Sequence, residues 1–255
     1  MKKYLSVEDF RVLRKPLESG RQSPNSLAGA LLLGSALQFL VWFLTYNVAG
    51  KYTNYPNSDE IRNVHFIITM VLIGCSILFS FPFVYKKAEK IQYLVSIITT
   101  QNFGVSFFLI ALFLIGENEG ITENMLISFT NIAMFFGILL LVCIFVRYSI
   151  LINRGHYKTG SSSDIRREKI EKRLHLPTII VGSTALVFII QHVVRVLGLA
   201  SIETIAMVAI FISISYTIIY VLPEQLIILY CKYRFKSFNY NERGYLYSET
   251  EEKER

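Results

Sequence analysis

The polar side chains able to do chemistry in this chain stand inside or beside long apolar runs, where each is costly unless it finds a partner. Gln191, His192 and Arg195 fall near one end of such a run, and His192 and Arg195, three residues apart, share a helical face. Groups of that kind can hold an anion or a polar solute. The structural alternative is that Arg195 snorkels to the headgroups or pairs with Glu203 across a short turn. Glu224 follows Pro223, and a proline that frees a backbone carbonyl beside a carboxylate can make a cation or proton site, as in interrupted transporter helices. Gln101 and Asn102 put two amides in the middle of an uncharged run, and Asn131 stands in the next one. Together with Gln38, Thr99, Ser128, Ser213 and Thr217 they line a polar cavity if their faces converge. Otherwise they join helices by hydrogen bonds worth below about 1 kcal/mol each.

Other chemistries lack their residues. His65, His156 and His175 lie in different segments with no H-x-x-x-H spacing, and Cys75, Cys143 and Cys231 show no C-x-x-C spacing, so no metal or cofactor site is expected. There is no Walker A sequence, no G-x-S-x-G elbow and no pair of intramembrane carboxylates. The expectation is a protein that is not an enzyme.

The elements that must position these residues follow from hydropathy. With 53% hydrophobic residues in 255, the chain has too little polar surface to cover a water-soluble globule. Ile91 to Ile115 is 25 residues without a charge and Met125 to Val146 another 22, each enough for a helix across the roughly 30 Å hydrocarbon core of a bilayer. Further runs at 27–46, 64–85, 177–199 and 202–222 complete the predicted fold class: all-α, a polytopic membrane helix bundle of six transmembrane helices within 27–231. Ala30 and Gly34 in the first span, and Ala209, Ser213 and Thr217 in the sixth, recur at four-residue intervals and predict faces where another helix packs closely. Pro82 near the inner end of the second span marks a place where the helix ends or bends.

Charge sets the orientation. The turn at 116–124 carries Glu117, Glu119 and Glu123 but no Lys or Arg, whereas Lys86, Lys87, Lys90, Arg147 and Arg154 flank the hairpin on its other side. Positive loops stay in the cytoplasm, so the acidic turn is placed outside and both termini inside, in the plasma membrane. On that arrangement 22 of the 26 lysines and arginines fall in inner segments and two, Lys51 and Arg62, in outer loops. The net charge of +7 is then explained by topology and by anionic lipids at the inner leaflet, and nucleic-acid binding is not expected.

Two short inner helices are predicted. Val7, Phe10, Leu13 and Leu17 recur at helical spacing in the basic segment 1–26, which suits a helix over about 5–15 lying on the membrane surface. The second covers 164–174 in the longest inner loop, with Ser163 or its neighbour as its N-cap. In 232–255, Lys232, Arg234 and Lys236 alternate with Tyr233, Phe235 and Phe238, a pattern suited to lipid headgroups, ahead of a charged tail. Heavy use of Ile, Phe, Tyr, Asn and Lys fits the codons of a low-GC, Gram-positive bacterium. The function expected from all this is contact with another membrane protein or with itself, as an accessory, assembly or immunity subunit of a membrane or secretion system. The alternative is a small-solute transporter or channel using the polar residues of spans three to five.

Overall fold

The computed structural model describes residues 5–118, 120–158, 160, 161, 165, 200–241 and 243–248, with backbone alone at 200–202. Among the described residues the regular structure is helical, apart from one bridged pair, Tyr240 with Leu246. Five helices are each long and apolar enough to cross a membrane: α1 (Pro24–Leu44), α2 (Ser58–Leu78), α3 (Glu89–Gly116), α4 (Glu123–Asn153) and α5 (Ala200–Arg234). The expected span 177–199, with Gln191, His192 and Arg195, and the expected helix 164–174 lie outside the described residues.

The outer surface of the bundle fits hydrocarbon. Leu33 on α1, Ile67 on α2, Phe135 on α4 and Ile205 on α5 are all more than half exposed. Apolar surface this extensive is compatible with contact to a bilayer. α3 is the central helix, packed against α5, α1 and α2. Val95, Thr99, Asn102, Ser106, Leu109 and Phe113 recur along it at steps of three and four and are all buried.

Several boundaries differ from the hydropathy pattern, each for a local reason. α2 begins at Ser58 because its polar first turn carries Asp59 and Glu60, which favour a helix N-terminus. It stops at Leu78, and Pro82 opens a separate one-turn helix, Pro82–Tyr85. α5 does not end before Pro223 but passes through it to Arg234, since Leu226, Ile227 and Leu229 beyond the proline pack against the inner core and hold the helix on course.

At the basic end the two terminal segments close the bundle. Val7–Arg14 is a 3-10 helix rather than an α-helix, as the spacing of three between Val7, Phe10 and Leu13 matches three residues per turn. Ser6 and Asp9 start it with a capping box, the Ser6 backbone N–H donating to the Asp9 carboxylate at 2.9 Å. Burial raises the Asp9 carboxyl, but the hydrogen bonds from Ser6 and the Lys158 ammonium 3.5 Å away outweigh that and hold it below the ordinary value of 3.8. Phe10, Leu13 and Leu17 are buried with Tyr93, Ile152 and Phe238 in the largest core cluster. The apolar face expected to lie on lipid therefore plugs the helix ends instead.

At the other end, the connection after α1 straps the tip of α3. The Asn54 N–H donates to the Gly116 carbonyl at 2.8 Å. A Cβ at Gly116 would run into the Thr53 hydroxyl and come within 3.3 Å of the Tyr55 nitrogen. Gly116→Val is therefore expected to lift the strap and cost about 1–3 kcal/mol, read as a lowered Tm in detergent. An unchanged Tm would contradict this packing.

Candidate functional site

Ten buried polar residues lie where α1, α2 and α3 meet. They are Ser35, Gln38 and Thr45 on α1 and its continuation, His65, Thr69 and Ser76 on α2, and Gln92, Thr99, Asn102 and Ser106 on α3. Within each helix their steps are three, four or seven, so each helix turns one polar seam toward the other two.

The seam is bonded layer by layer. At the basic end the Gln92 amide donates to the carbonyls of Pro24 at 2.9 Å and Phe79 at 3.0 Å, joining α3 to the ends of α1 and α2. Next the Ser80 hydroxyl reaches the Ala28 carbonyl, and the hydroxyls of Ser76 and Thr99 meet at 3.3 Å. In the middle the Asn102 amide donates to Gln38 Oε1 at 3.3 Å and to Thr69 Oγ1 at 3.2 Å, so one side chain ties three helices. Above it the Ser106 hydroxyl donates to the Asn102 carbonyl at 2.9 Å and stands 3.3 Å from His65 Nε2. Tyr46 Oη lies 2.9 Å from His65 Nδ1.

Both ring nitrogens of His65 have partners in the seam. The Ser106 proton is committed to the Asn102 carbonyl, so Ser106 accepts from Nε2–H, while the Tyr46 hydroxyl stands between Nδ1 and the Ile61 carbonyl, 3.4 Å away. Tyr46 reaches the imidazole because α1 ends in a π turn, Thr45–Ala49, in which Thr45 and Tyr46 are both buried.

Two amide nitrogens remain buried without a partner, those of Gln38 and Gln101. Gln101 borders a cleft of ≈ 560 Å³ between α2 and α3, whose walls include His65, Ile68 and Leu72 on one side and Gln101, Asn102 and Val105 on the other. Exposed Glu60, in the first turn of α2, also lines it.

Of the residues singled out in the sequence, Gln101 and Asn102 come together in this cleft wall. Asn131 is exposed on α4 away from it. Glu224 lies toward the basic end, where its carboxylate accepts from the Tyr148 hydroxyl at 2.5 Å. Gly34 packs on α3, a Cβ there meeting Thr99 Cγ2 at 3.9 Å, whereas Ala30 is exposed. Ala209, Ser213 and Thr217 also face outward, and the hydroxyls of Ser213 and Thr217 turn back to their own helix at 2.7 and 2.8 Å. The close approach of α5 to α3 is made instead at Gly104, which accepts from Ser215 at 3.0 Å and packs against Ile218.

Lys232 departs most from its expected place at the headgroups. Its side chain is 1% exposed, with its ammonium 3.7 Å from Glu89 Oε1 and donating to the Phe238 carbonyl at 3.1 Å. The rings of Tyr93 and Tyr240 flank it at 5.5 and 5.4 Å. The cause is helical phase, since Ile228, Cys231, Lys232 and Phe235 share the buried face of α5 and its continuation. Burial and the nearby Glu89 push the Tyr240 hydroxyl up to about 12, and it donates to the Leu17 carbonyl at 2.6 Å. Arg234 and Lys236 are exposed; Arg234 donates to the Leu5 carbonyl at 3.1 Å, and Lys236 covers the Tyr247 ring at 4.4 Å.

Residue type in the sequence does not bring His65, Thr69, Ser76, Ser106 and Tyr46 together. The signal available was their three-and-four spacing within apolar runs. Among the described residues no group of three or more His, Cys, Asp or Glu side chains is placed to hold a metal ion. No family model, curated protein or solved structure matches the chain.

Proposed function

We propose that this is a non-enzymatic multi-spanning membrane protein that works through helix contacts with another membrane component, in the manner of an accessory, assembly or immunity subunit. The observation that carries the reading is the seam. The polar groups of α1, α2 and α3 bond mostly to one another, which suits a structural block better than a water-lined path. Meanwhile the small residues Ala209, Ser213 and Thr217 of α5 face outward, a surface that lets a neighbouring helix approach.

The arrangement we propose has six spans with both termini cytoplasmic. α4 ends at the basic end, where Ile152 joins the terminal segments. α5 starts at the opposite end, where Thr204 and Val208 line a pocket with Leu114 and Glu117. In this reading the apolar stretch 177–199, which has the length to cross a bilayer, is the sixth span. Exposed Arg234 and Lys236 then face the inner leaflet and its anionic lipids.

A photo-crosslinking residue at Ser213 in native membranes is expected to capture one defined second protein, and recovery of self-links alone would count against the reading. Reporter fusions at residue 120 are expected to report the outside of the cell. The pairing of Gln101 and Asn102 in one cleft wall favours a second reading, a small-solute carrier or channel. On that reading Asn102→Leu abolishes flux in liposomes; on ours there is no flux to abolish.

A further inference from the structure

We propose that the cleft between α2 and α3 binds a neutral, bilayer-dissolved molecule carrying a carbonyl group on a largely apolar body. The proposal is independent of what meets α5.

The entrance faces lipid. α2 and α3 each lean on α1 more than on one another, which leaves a lengthwise slot between them. Val64, Ile68, Ile98 and Val105 form its rim and are exposed on the outer surface of the bundle, whereas His65, Leu72, Asn102 and Leu109 lie buried deeper in it. A molecule dissolved in the hydrocarbon enters sideways without crossing a polar barrier. At ≈ 560 Å³ the slot lies within the roughly 300–1,000 Å³ range of small-molecule sites.

The lining selects the chemistry. The wall is aliphatic except for one patch, His65, Gln101 and Asn102, and no Lys or Arg lines it. A phosphate or carboxylate would find no counter-charge there, and exposed Glu60, in the first turn of α2, repels both. The patch does offer an unanswered donor. Gln101, which lines the cleft, has its Nε2 buried without a partner in a part of the molecule where water is scarce. His65 and Asn102 use their own donors within the protein, so the open valence is for an acceptor. A ligand carbonyl supplies one, and its apolar remainder covers Ile68 and Val105.

The test reconstitutes the full chain in phosphatidylcholine vesicles doped with a long-chain alkyl ketone bearing a diazirine, and in parallel with the matching hydrocarbon lacking the ketone. After irradiation, ketone adducts are expected to concentrate at Ile68, Ile98 and Val105 over the comparably exposed Val71 and Phe135, while the hydrocarbon labels all five alike. Gln101→Leu should lower cleft labelling by the ketone at least five-fold and leave Val71 and Phe135 unchanged. Val105→Trp, which fills the slot without touching the seam, should do the same, so a folding failure of the first variant leaves the test intact. Equal labelling of all faces by both probes would show ordinary lipid in the slot and overturn the proposal. Fast reaction of Gln101→Cys with a membrane-impermeant thiol reagent would show water there and overturn it too.

Discussion

Glu89→Ala is expected to destabilise the chain more than any other single substitution considered, by roughly 3–5 kcal/mol, the range for stranding one partner of a buried ion pair. The Lys232 side chain is 1% exposed, and the Glu89 carboxylate 3.7 Å away is the anion facing it. The same carboxylate accepts from the Tyr240 backbone N–H at 3.0 Å, so its removal also frees the segment that follows α5. Two aromatic rings and one carbonyl remain around the ammonium, too little to replace a counter-charge. Denaturant titration in detergent should give a lower midpoint, and limited proteolysis should cut first between 235 and 247. The double change Glu89→Gln with Lys232→Met should be milder than Glu89→Ala alone, because it leaves no charge behind. A wild-type midpoint for Glu89→Ala would mean that Lys232 is solvated after all.

Asn102→Leu should cost about 1–3 kcal/mol while keeping the branching of the side chain, the penalty coming from unanswered polar groups rather than from a cavity. Its two N–H groups serve Gln38 and Thr69, and Gln38 already has a nitrogen without a partner. A single intramembrane hydrogen bond is worth only about 0.6 kcal/mol on average, so the larger loss reflects three helices joined at one residue. Adding Gln38→Leu should restore part of the stability by removing the stranded amide. A strictly additive pair would show that the two side chains do not interact. Unfolding midpoints of the four proteins measure the coupling directly.

Hydropathy is enough to read five of the described helices from the sequence, because a long uncharged run has few other ways to be stable in lipid. Which face of each helix turns inward is harder to read. His65 looked like a residue near a span's start because the apolar run begins at Val64; the helix begins at Ser58, and the ring ends up inside the bundle. Thr69, Ser76 and Ser106 gave no signal by type, since a hydroxyl in a helix can return to its own backbone, as Ser213 does here. Only the register of neighbouring helices separates the two cases. Lys232 was misplaced for a related reason. The alternation of charged and aromatic residues from Lys232 to Phe238 suggested a surface strip, but its first part is helical, where the period is 3.6 rather than two. Gln101 and Asn102 were legible because amides are rare and expensive at that depth.

The interlock at the basic end also bears on how the molecule is made. Arg14 donates to the Tyr247 carbonyl at 2.6 Å, and the Leu17 carbonyl accepts from Tyr240, so residues that leave the ribosome early find their partners among those that leave late. Phe10 and Leu13 must wait, uncovered, while the intervening helices are inserted. Closure of the basic end therefore waits for the last described helix, because Phe10 packs on the rings of Tyr230 and Phe235.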